Sequence, residues 1–338
     1  MARYRSEPAS REPDSVTNPP LPALVLWVLF GFLVAALAGA LLLFFFGRFQ
    51  IRQHAYEDAP KTHRAKTGTP TMGGLVFPVV LLGALTISRA PLLPELVVFV
   101  VLCAGIGAVD DVVKIRHGAN RGMRARTKFL ATALAGAIFV REAAASPALF
   151  PPNVLFHVGA FWIFAPHWLW LLLGILAITG TAHAVNLTDG LDGLAAGAII
   201  PPLFVLALLA AGMALAGPAI AAAAGIGACG GFLLFNRHPA KLFMGDTGSL
   251  ALGALLAGVA ILCGEMLLLI VIGGVFVAEA LSVILQVSYF KATRGRRILR
   301  MSPLHHHFEL AGWPETRVTT RFWLASLFCS LLGWAIVR

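Results

Sequence analysis

The sequence predicts an all-α, polytopic integral membrane protein with about ten transmembrane helices. Of its 338 residues, 58% are hydrophobic and only 12% are charged, whereas about a quarter of the residues of a soluble protein are charged. Apolar runs that approach the roughly 20 residues needed to cross a bilayer recur from residue 21 to the end of the chain. Lys and Arg residues concentrate between these runs. This composition excludes a soluble enzyme, a disordered protein and a disulfide scaffold.

The segments follow from composition along the chain. Residues 1–20 are polar and rich in proline, which predicts a disordered tail before a single membrane domain at 21–338. Residues 153–164 are aromatic and lie between Pro152 and Pro166, which predicts a small periplasmic hairpin rather than a span. The four cysteines lie in apolar runs, so we expect them to be buried apolar residues. The predicted spans are 21–47, 71–88, 94–109, 129–140, 167–185, 194–212, 218–235, 249–263, 266–290 and 322–337.

The distribution of basic residues predicts the orientation in the membrane. Loops that follow odd-numbered spans hold 20 of the 26 Lys and Arg residues, and the opposite side holds 6. Cytoplasmic loops of membrane proteins collect Lys and Arg, which places these loops in the cytoplasm and both termini outside. The same rule explains the net charge of +10 without a nucleic-acid partner.

Acidic residues gather at the cytoplasmic ends of three predicted spans. Asp110 and Asp111 close the third span, where they meet the negative end of the helix dipole, and Lys114 lies one turn later. Asp189 and Asp192 follow Asn186 at intervals of three residues. Ionisable groups at a membrane boundary suggest a functional site. The alternative is a salt-bridged helix end for the first pair and turn-and-cap chemistry for the second.

Asp246 precedes Thr247, Gly248 and Ser249 at the start of the eighth span. An Asp in this position can simply cap the helix. A helix start with glycine and hydroxyl groups also binds anions, and an acidic side chain there suggests Mg²⁺ between a carboxylate and a phosphate. The segment KTGTPTMGG, with Lys66, fits either such chemistry or an ordinary turn and helix start. Lys128, at the start of the fourth span, either joins the site or snorkels to the interface.

The ninth loop contains three consecutive histidines, His305, His306 and His307. Their spacing does not match a zinc site. Imidazoles near a phosphate act as hydrogen-bond donors or proton carriers. Carboxylates, lysines, histidines and glycine-flanked helix starts on one membrane face favour metal-assisted phosphoryl transfer between a soluble phosphate substrate and a lipid phosphate.

Five motifs in this order resemble those of the phospho-N-acetylmuramoyl-pentapeptide transferase family, a branch of the polyprenyl-phosphate N-acetylhexosamine-1-phosphate transferases. They are KTGTPTMGG, the Asp110–Asp111 pair, NLTDGLDGLA, FMGDTGSLALG and PLHHHFELAGW, between Lys66 and Trp313. The triple histidine followed by FELAGW, together with GTPTMGG, indicates the muramoyl-pentapeptide branch. Ser302 stands where the family pattern leads us to expect alanine.

The resemblance implies a multi-pass enzyme of the bacterial inner membrane with its active site on the cytoplasmic face. The implied reaction transfers phospho-MurNAc-pentapeptide from UDP-MurNAc-pentapeptide to undecaprenyl phosphate, and it yields lipid I and UMP. Mg²⁺ is the implied cofactor, and a homodimer is the implied assembly. Direct attack by the lipid phosphate and a route through an enzyme carboxylate both remain open, and we favour direct attack because one interface can hold both substrates.

The resemblance also assigns roles to residues. Asp246 is the implied Mg²⁺ ligand, and Asp110 is the expected base for the lipid phosphate. Phe243 is expected to stack on uracil, in a pocket with Lys66 and the segment from Gly190 to Asp192. The implied catalytic residues are Asp110, Asp111, Asn236, Asp246 and His305. The implied substrate-binding residues are Lys66, Lys114, Lys128, Asn186, Asp189, Gly190, Leu191, Asp192, Phe243, Gln286, His306 and His307.

Two alternative functions, and the role of one residue, are not decided by the sequence. A transferase that uses UDP-N-acetylglucosamine would share the Asp-rich segments, although the histidine motif argues against it. An ion-coupled transporter would place its acidic residues near the middle of the bilayer, whereas most of those here lie at helix ends. Glu279 is the exception, since it lies inside the ninth apolar run. It is either a structural residue that pins its helix or part of a groove for the lipid phosphate.

Overall fold

The computed structural model describes residues 21–49, 68–117, 122–146, 153–159 and 161–338. Most of these residues are helical, which confirms the predicted all-α class. A 3₁₀ turn at Gly73–Leu75 leads into the second helix. The helices are α1 (Leu21–Phe49), α2 (Val76–Ile87), α3 (Leu93–His117), α4 (Ala125–Ala145), α5 (His167–Thr188), α6 (Leu194–Ala198), α7 (Ile200–Gly212), α8 (Ala216–Asn236), α9 (Gly245–Leu262), α10 (Leu269–Ile272), α11 (Gly274–Ala292), α12 (Leu304–Leu310) and α13 (Glu315–Val337). The strands are β1 (Val154–Val158) and β2 (Phe161–Phe164).

Every predicted span coincides with helical structure. Eight helical stretches in the described part of the chain are long and apolar enough to cross a membrane, so the protein is a multi-pass membrane protein. The two remaining predicted spans correspond to α2, which is short, and to α4. The count of ten and the outward termini therefore stay predictions, and the predicted tail at 1–20 lies outside the described residues.

The sixth predicted span is interrupted between α6 and α7. Pro201 and Pro202 occupy the first turn of α7, where their missing N–H groups cost nothing. The break is a single residue, Ile199, whose backbone stays in the α-helical region. Helices α6 and α7 therefore continue as one apolar stretch of 19 residues directly after the NLTDGLDG segment.

Helix α9 is the centre of the structure. All of its residues from Asp246 to Leu262 are buried. Helices α3 and α5 pack along it, and α8 adds a further contact. A helix of 18 residues extends about 27 Å, which is close to the thickness of the hydrocarbon core. The helix is therefore long enough to reach from one side of the hydrocarbon core to the other.

The two strands form an antiparallel pair within the segment where a hairpin was expected. The pair is attached to the turn that follows α9. Leu267 N donates a hydrogen bond to Leu155 O at 3.1 Å, and the His157 imidazole is hydrogen-bonded to the Glu265 carboxyl group. Glu265 is fully buried. The hairpin thus covers the end of α9 that is remote from Asp246, and its periplasmic location stays a prediction.

We expect the stability of the protein to fall between about pH 5 and pH 8 because of Glu265. Burial raises the pKa of Glu265 from its ordinary value of 4.5 to about 8. Burial lowers the pKa of His157, which acts in the opposite direction, so the Glu265 contribution is isolated by comparing the wild type with a variant that lacks this carboxyl group. The unfolded chain releases the Glu265 proton above about pH 4.5, whereas the folded protein retains it until about pH 8, so rising pH favours unfolding across this window. Thermal unfolding in detergent, measured from pH 5 to pH 9, should show a smaller decline for Glu265→Gln than for the wild type.

Glu142→Gln is the matched control, because Glu142 is an exposed glutamate on α4 that pairs with the adjacent Arg141. Its unfolding temperature should follow the wild-type pH dependence. Parallel curves for Glu265→Gln and the wild type would contradict the assignment of this pH dependence to Glu265.

Candidate active site

Three carboxylates and two lysines meet where α3, α4 and α9 come together, and we call Asp110, Asp111, Asp246, Lys114 and Lys128 the carboxylate–lysine cluster. Lys114 Nζ lies 2.7 Å from Asp110 Oδ2 and 3.0 Å from Asp246 Oδ1. Lys128 Nζ lies 3.2 Å from Asp110 Oδ2 and is hydrogen-bonded to Asp246 Oδ2. Each lysine therefore bridges two helices through their carboxylates. Lys128 thus contacts two of the three carboxylates, and its role in substrate binding stays a prediction.

Asp111 caps the first turn of α9. Its carboxylate accepts hydrogen bonds from Asp246 N at 3.0 Å, from Thr247 N at 2.9 Å and from Thr247 Oγ1 at 2.7 Å. Met244, the residue before α9, makes no side-chain cap of its own. A carboxylate at a helix start satisfies free N–H groups and typically stabilises the helix by about 1 kcal/mol. Asp111 therefore holds Asp246 in place.

A glycine lets α3 approach the start of α9. Gly107 lies one turn before Asp111, and a Cβ at this position would overlap the backbone of Asp246 and Thr247. Any side chain would therefore separate the two helices. This close approach is what brings the Asp110–Asp111 pair to Asp246.

The end of α5 completes the polar surroundings of Asp246. Asn186 Nδ2 donates to Asp246 Oδ1 at 3.0 Å and to Ser249 Oγ at 2.8 Å. Asp189 follows directly after α5. Its pKa is raised well above the ordinary value, first by burial and then by repulsion from Asp246 and Asp111.

The second half of the NLTDGLDG segment is tied to two other loops. Asp192 Oδ2 accepts hydrogen bonds from His238 Nδ1 and from Ala240 N, both at 3.0 Å. The N–H group of Asp192 donates to Glu315 Oε1 at 2.7 Å, at the start of α13. Leu191 is buried in a small apolar cluster with Leu194 and Val318. These contacts fix the position of the loop relative to α13 and to the segment before α9.

Asn236 joins the same loop through its side-chain amide. Its Oδ1 accepts from Gly193 N at 3.1 Å, and its Nδ2 donates to Leu242 O at 2.9 Å. The amide therefore connects the segment after α5 with the segment before α9. In this structure it orders the backbone around the site, and a contact with a reacting phosphate stays a prediction.

The PTMGG segment pairs with the residues that precede Asp246. Phe243 N donates to Pro70 O at 2.8 Å, Gly73 N donates to Phe243 O at 2.8 Å, and Gly74 N donates to Met244 O at 2.9 Å. The Phe243 side chain is half-buried. Lys66, four residues before Pro70, lies outside the described residues.

The three consecutive histidines have different environments. His305 is fully buried and its Nδ1 lies 3.2 Å from Glu279 Oε1. His306 Nδ1 lies 2.8 Å from Glu309 Oε2, and His307 Nδ1 accepts from Arg300 N at 3.1 Å. The His305 ring packs against the loop beside the cluster, since a Cβ at Gly190, directly after Asp189, would overlap it.

Gln286 lies on α11 and contacts the loop before α12. Its Oε1 accepts from Ile298 N at 3.0 Å and from Leu299 N at 2.9 Å, and its Nε2 donates to Leu299 O at 3.1 Å. Its amide is engaged with this backbone, and the predicted contact with the nucleotide-sugar stays a prediction.

Sequence reasoning assigned no role to several residues that the structure brings to the site. The Thr71 hydroxyl is buried, has no hydrogen-bond partner among the described residues, and lies next to Gly245 at the start of α9. Its place in the GTPTMGG motif was the available signal. His238 and Glu315 carry no local signal, because they reach Asp192 only through the tertiary fold.

Comparison with known proteins agrees with this geometry. Residues 93–264, which include the carboxylates of the cluster, match the family model described as glycosyl transferase family 4. The phospho-N-acetylmuramoyl-pentapeptide-transferase of Desulforamulus reducens is 44% identical over 91% of this chain and 95% of its own length. The enzyme of Heliobacterium modesticaldum is 44% identical over 90% of this chain and 96% of its own length. The enzyme of Bacillus subtilis is 40% identical over 90% of this chain and 95% of its own length. With such identity over nearly the whole length, this chain belongs to the phospho-N-acetylmuramoyl-pentapeptide transferase family.

Proposed function

We propose that this protein transfers phospho-MurNAc-pentapeptide from UDP-MurNAc-pentapeptide to undecaprenyl phosphate, which gives lipid I and UMP in peptidoglycan biosynthesis. The observation that carries the proposal is the carboxylate–lysine cluster at one end of the central helix of a multi-pass membrane protein. We place the reaction at the cytoplasmic face of the bacterial inner membrane, and we expect the protein to act as a homodimer.

Electrostatics support a phosphoryl transfer at this cluster. The donor pyrophosphate and the lipid phosphate are both anionic and repel each other, so the site must supply positive charge. Lys114 and Lys128 supply two ammonium groups, but three carboxylates surround them. The cluster alone therefore keeps one negative charge in excess, which suggests that a further cation is needed to accept the substrates.

The residues of the cluster fit Mg²⁺. Oxygen atoms of Asp110, Asp111 and Asp246 lie within 4.8 Å of one another, and carboxylate oxygen is the protein ligand that Mg²⁺ prefers. Asp246 is the proposed ligand, because Asp111 is already occupied by the first turn of α9. Bound Mg²⁺ would neutralise phosphate charge and polarise the bond to the leaving UMP.

The remaining roles follow the geometry. Asp110 is the proposed base for the lipid phosphate, and its Oδ1 is oriented by a 2.7 Å hydrogen bond from Met123 N. The uridine is proposed to bind Lys66 and the loop from Gly190 to Asp192, with uracil on Phe243. His305 and Asn236 are proposed to act beside the reacting phosphates. We favour direct attack of the lipid phosphate oxygen on the donor, with UMP as leaving group.

The two other functions are less well supported. A donor with N-acetylglucosamine would need the same cluster, but the relatives over the whole length carry the muramoyl-pentapeptide name. A transporter site would lie near the middle of the bilayer, whereas the cluster lies at the first turn of α9 and the last turns of α3.

The decisive experiment is UMP release by the purified protein with undecaprenyl phosphate and Mg²⁺. UDP-MurNAc-pentapeptide and UDP-N-acetylglucosamine are offered in parallel, and we expect release only with the muramoyl donor. Release only with the N-acetylglucosamine donor would move the protein to the sister branch of the superfamily. Absence of release with both, in a folded preparation, would contradict the proposed transferase.

A further inference from the structure

Glu279 is a fully buried carboxylate in the middle of an apolar helix. It lies on α11, which is long and apolar enough to span the membrane. A carboxylate in such a place costs free energy unless hydrogen-bond donors surround it. The structure supplies three donors, and all of them come from the start of α12.

The two carboxylate oxygens of Glu279 contact backbone N–H groups at the start of α12 and the imidazole ring of His305. Oε2 accepts from Leu304 N at 2.7 Å, and Oε1 accepts from His305 N at 3.2 Å. Oε1 also lies 3.2 Å from His305 Nδ1. Pro303, the residue before α12, makes no side-chain cap. Glu279 therefore caps α12 from another helix and binds the imidazole with the same carboxylate.

This arrangement distinguishes the two ring nitrogens of His305. A carboxylate only accepts hydrogen bonds, so the proton on the ring is held at Nδ1. Nε2 is buried and has no hydrogen-bond partner among the described residues. It is the ring atom nearest to the position that a Cβ on Gly190 would occupy, so it is directed at the loop that follows Asp189.

We propose that Glu279 is a positioning residue for the transfer reaction, which holds His305 in the Nδ1–H form with Nε2 directed at the substrate phosphates. The inference rests on the proposed role of His305 beside those phosphates. It also explains why a costly charge lies inside α11: a carboxylate accepts at both oxygens, whereas an amide of the same shape accepts at only one.

The test is Glu279→Gln, assayed as UMP release with the muramoyl donor. The amide would present its NH₂ group either to the start of α12 or to Nδ1, which releases the ring or favours the other tautomer. We expect kcat to fall about 10- to 100-fold, the usual effect of losing a partner that orients a functional histidine. KM for the nucleotide substrate should stay unchanged, because no proposed uridine contact is altered. Glu279→Asp, which keeps both acceptor oxygens, should retain more activity than Glu279→Gln.

A double mutant distinguishes the coupling of Glu279 to His305 from a loss of activity caused by a disturbed fold. Residues that act as a unit are not additive, so Glu279→Gln combined with His305→Gln should be no slower than His305→Gln alone. The control is Glu265→Gln, since Glu265 is also a fully buried glutamate hydrogen-bonded to a histidine, but at the other end of α9. Its kcat should equal that of the wild type.

The outcomes distinguish this inference from the function on which it rests. A slow His305→Gln with an unimpaired Glu279→Gln, or additive losses in the double mutant, would overturn the inference and leave the transferase intact. A fully active His305→Gln would remove His305 from the site and the inference with it. If Glu279→Gln does not fold, equal loss of kcat and of nucleotide affinity in Glu279→Asp would identify a purely structural role and overturn the proposal.

Discussion

Asp246→Asn is expected to reduce the rate of UMP release by about 10³-fold, the magnitude seen when a group that stabilises transition-state charge is removed. Asp246 has the central position in the cluster, since Lys114, Lys128 and Asn186 all contact its carboxylate oxygens. The amide keeps the size of the side chain but removes its charge. Lys114 and Lys128 would lose a shared partner, and the proposed Mg²⁺ ligand would become neutral.

The measurement is kcat with the muramoyl donor over a range of Mg²⁺ concentrations, together with Mn²⁺ binding followed by electron paramagnetic resonance. Weaker Mn²⁺ binding in Asp246→Asn would support the metal site independently of turnover. Glu142→Gln, which removes an exposed carboxylate on α4, should match the wild type in both assays. Wild-type turnover and Mn²⁺ binding in Asp246→Asn would exclude Asp246 as the ligand.

Gly190→Ala is expected to lower kcat by about 100-fold, because a Cβ at this position would overlap the His305 ring near Nε2. Both the loop and the ring are held by other contacts, so the overlap must displace one of them. A displacement of about 1 Å near reacting groups commonly costs a factor of about 100 in rate. The measurement is single-turnover UMP release, which isolates the chemical step.

Gly180→Ala is the matched control for this substitution. Gly180 lies on α5, before the same loop, and a Cβ there would meet no atom within 4 Å. Alanine should be tolerated at this position, and helix propensity should improve slightly. Equal activity of Gly190→Ala and Gly180→Ala would show that the space beside His305 is not required.

Several of the residues implied by the family motifs are brought together by the structure. Asp110, Asp111, Lys114, Lys128, Asn186 and Asp246 share direct contacts, as expected for one site. The motifs did not predict that some of these residues have a structural role in the site. Asp111 caps α9, and the amides of Asn236 and Gln286 order backbone segments. These functions depend on a partner in another segment, which no local pattern specifies.

Glu279 illustrates the same limit. Its position inside an apolar run indicates that something must compensate its charge, and two interpretations were compatible with that pattern. The compensating donors lie 25 and 26 residues further along the chain, at Leu304 and His305. The structure shows Glu279 capping α12, a different helix from its own, and contacting the His305 ring. Neither interpretation of Glu279 specified these contacts, and its role stays a prediction.

The sequence by itself determined the helical membrane class, the location of the helical segments and the motifs that carry the family. It could do so because hydrophobicity, proline and charge act locally, along runs of about 20 residues. The tertiary structure decided which oxygen meets which donor. Asp111 lies 135 residues from Asp246, and Lys128 lies 118 residues from it. Such contacts arise only when α3, α4 and α9 pack, because a hydrogen bond requires atoms to approach within about 3 Å and that distance is set by the packing of whole helices.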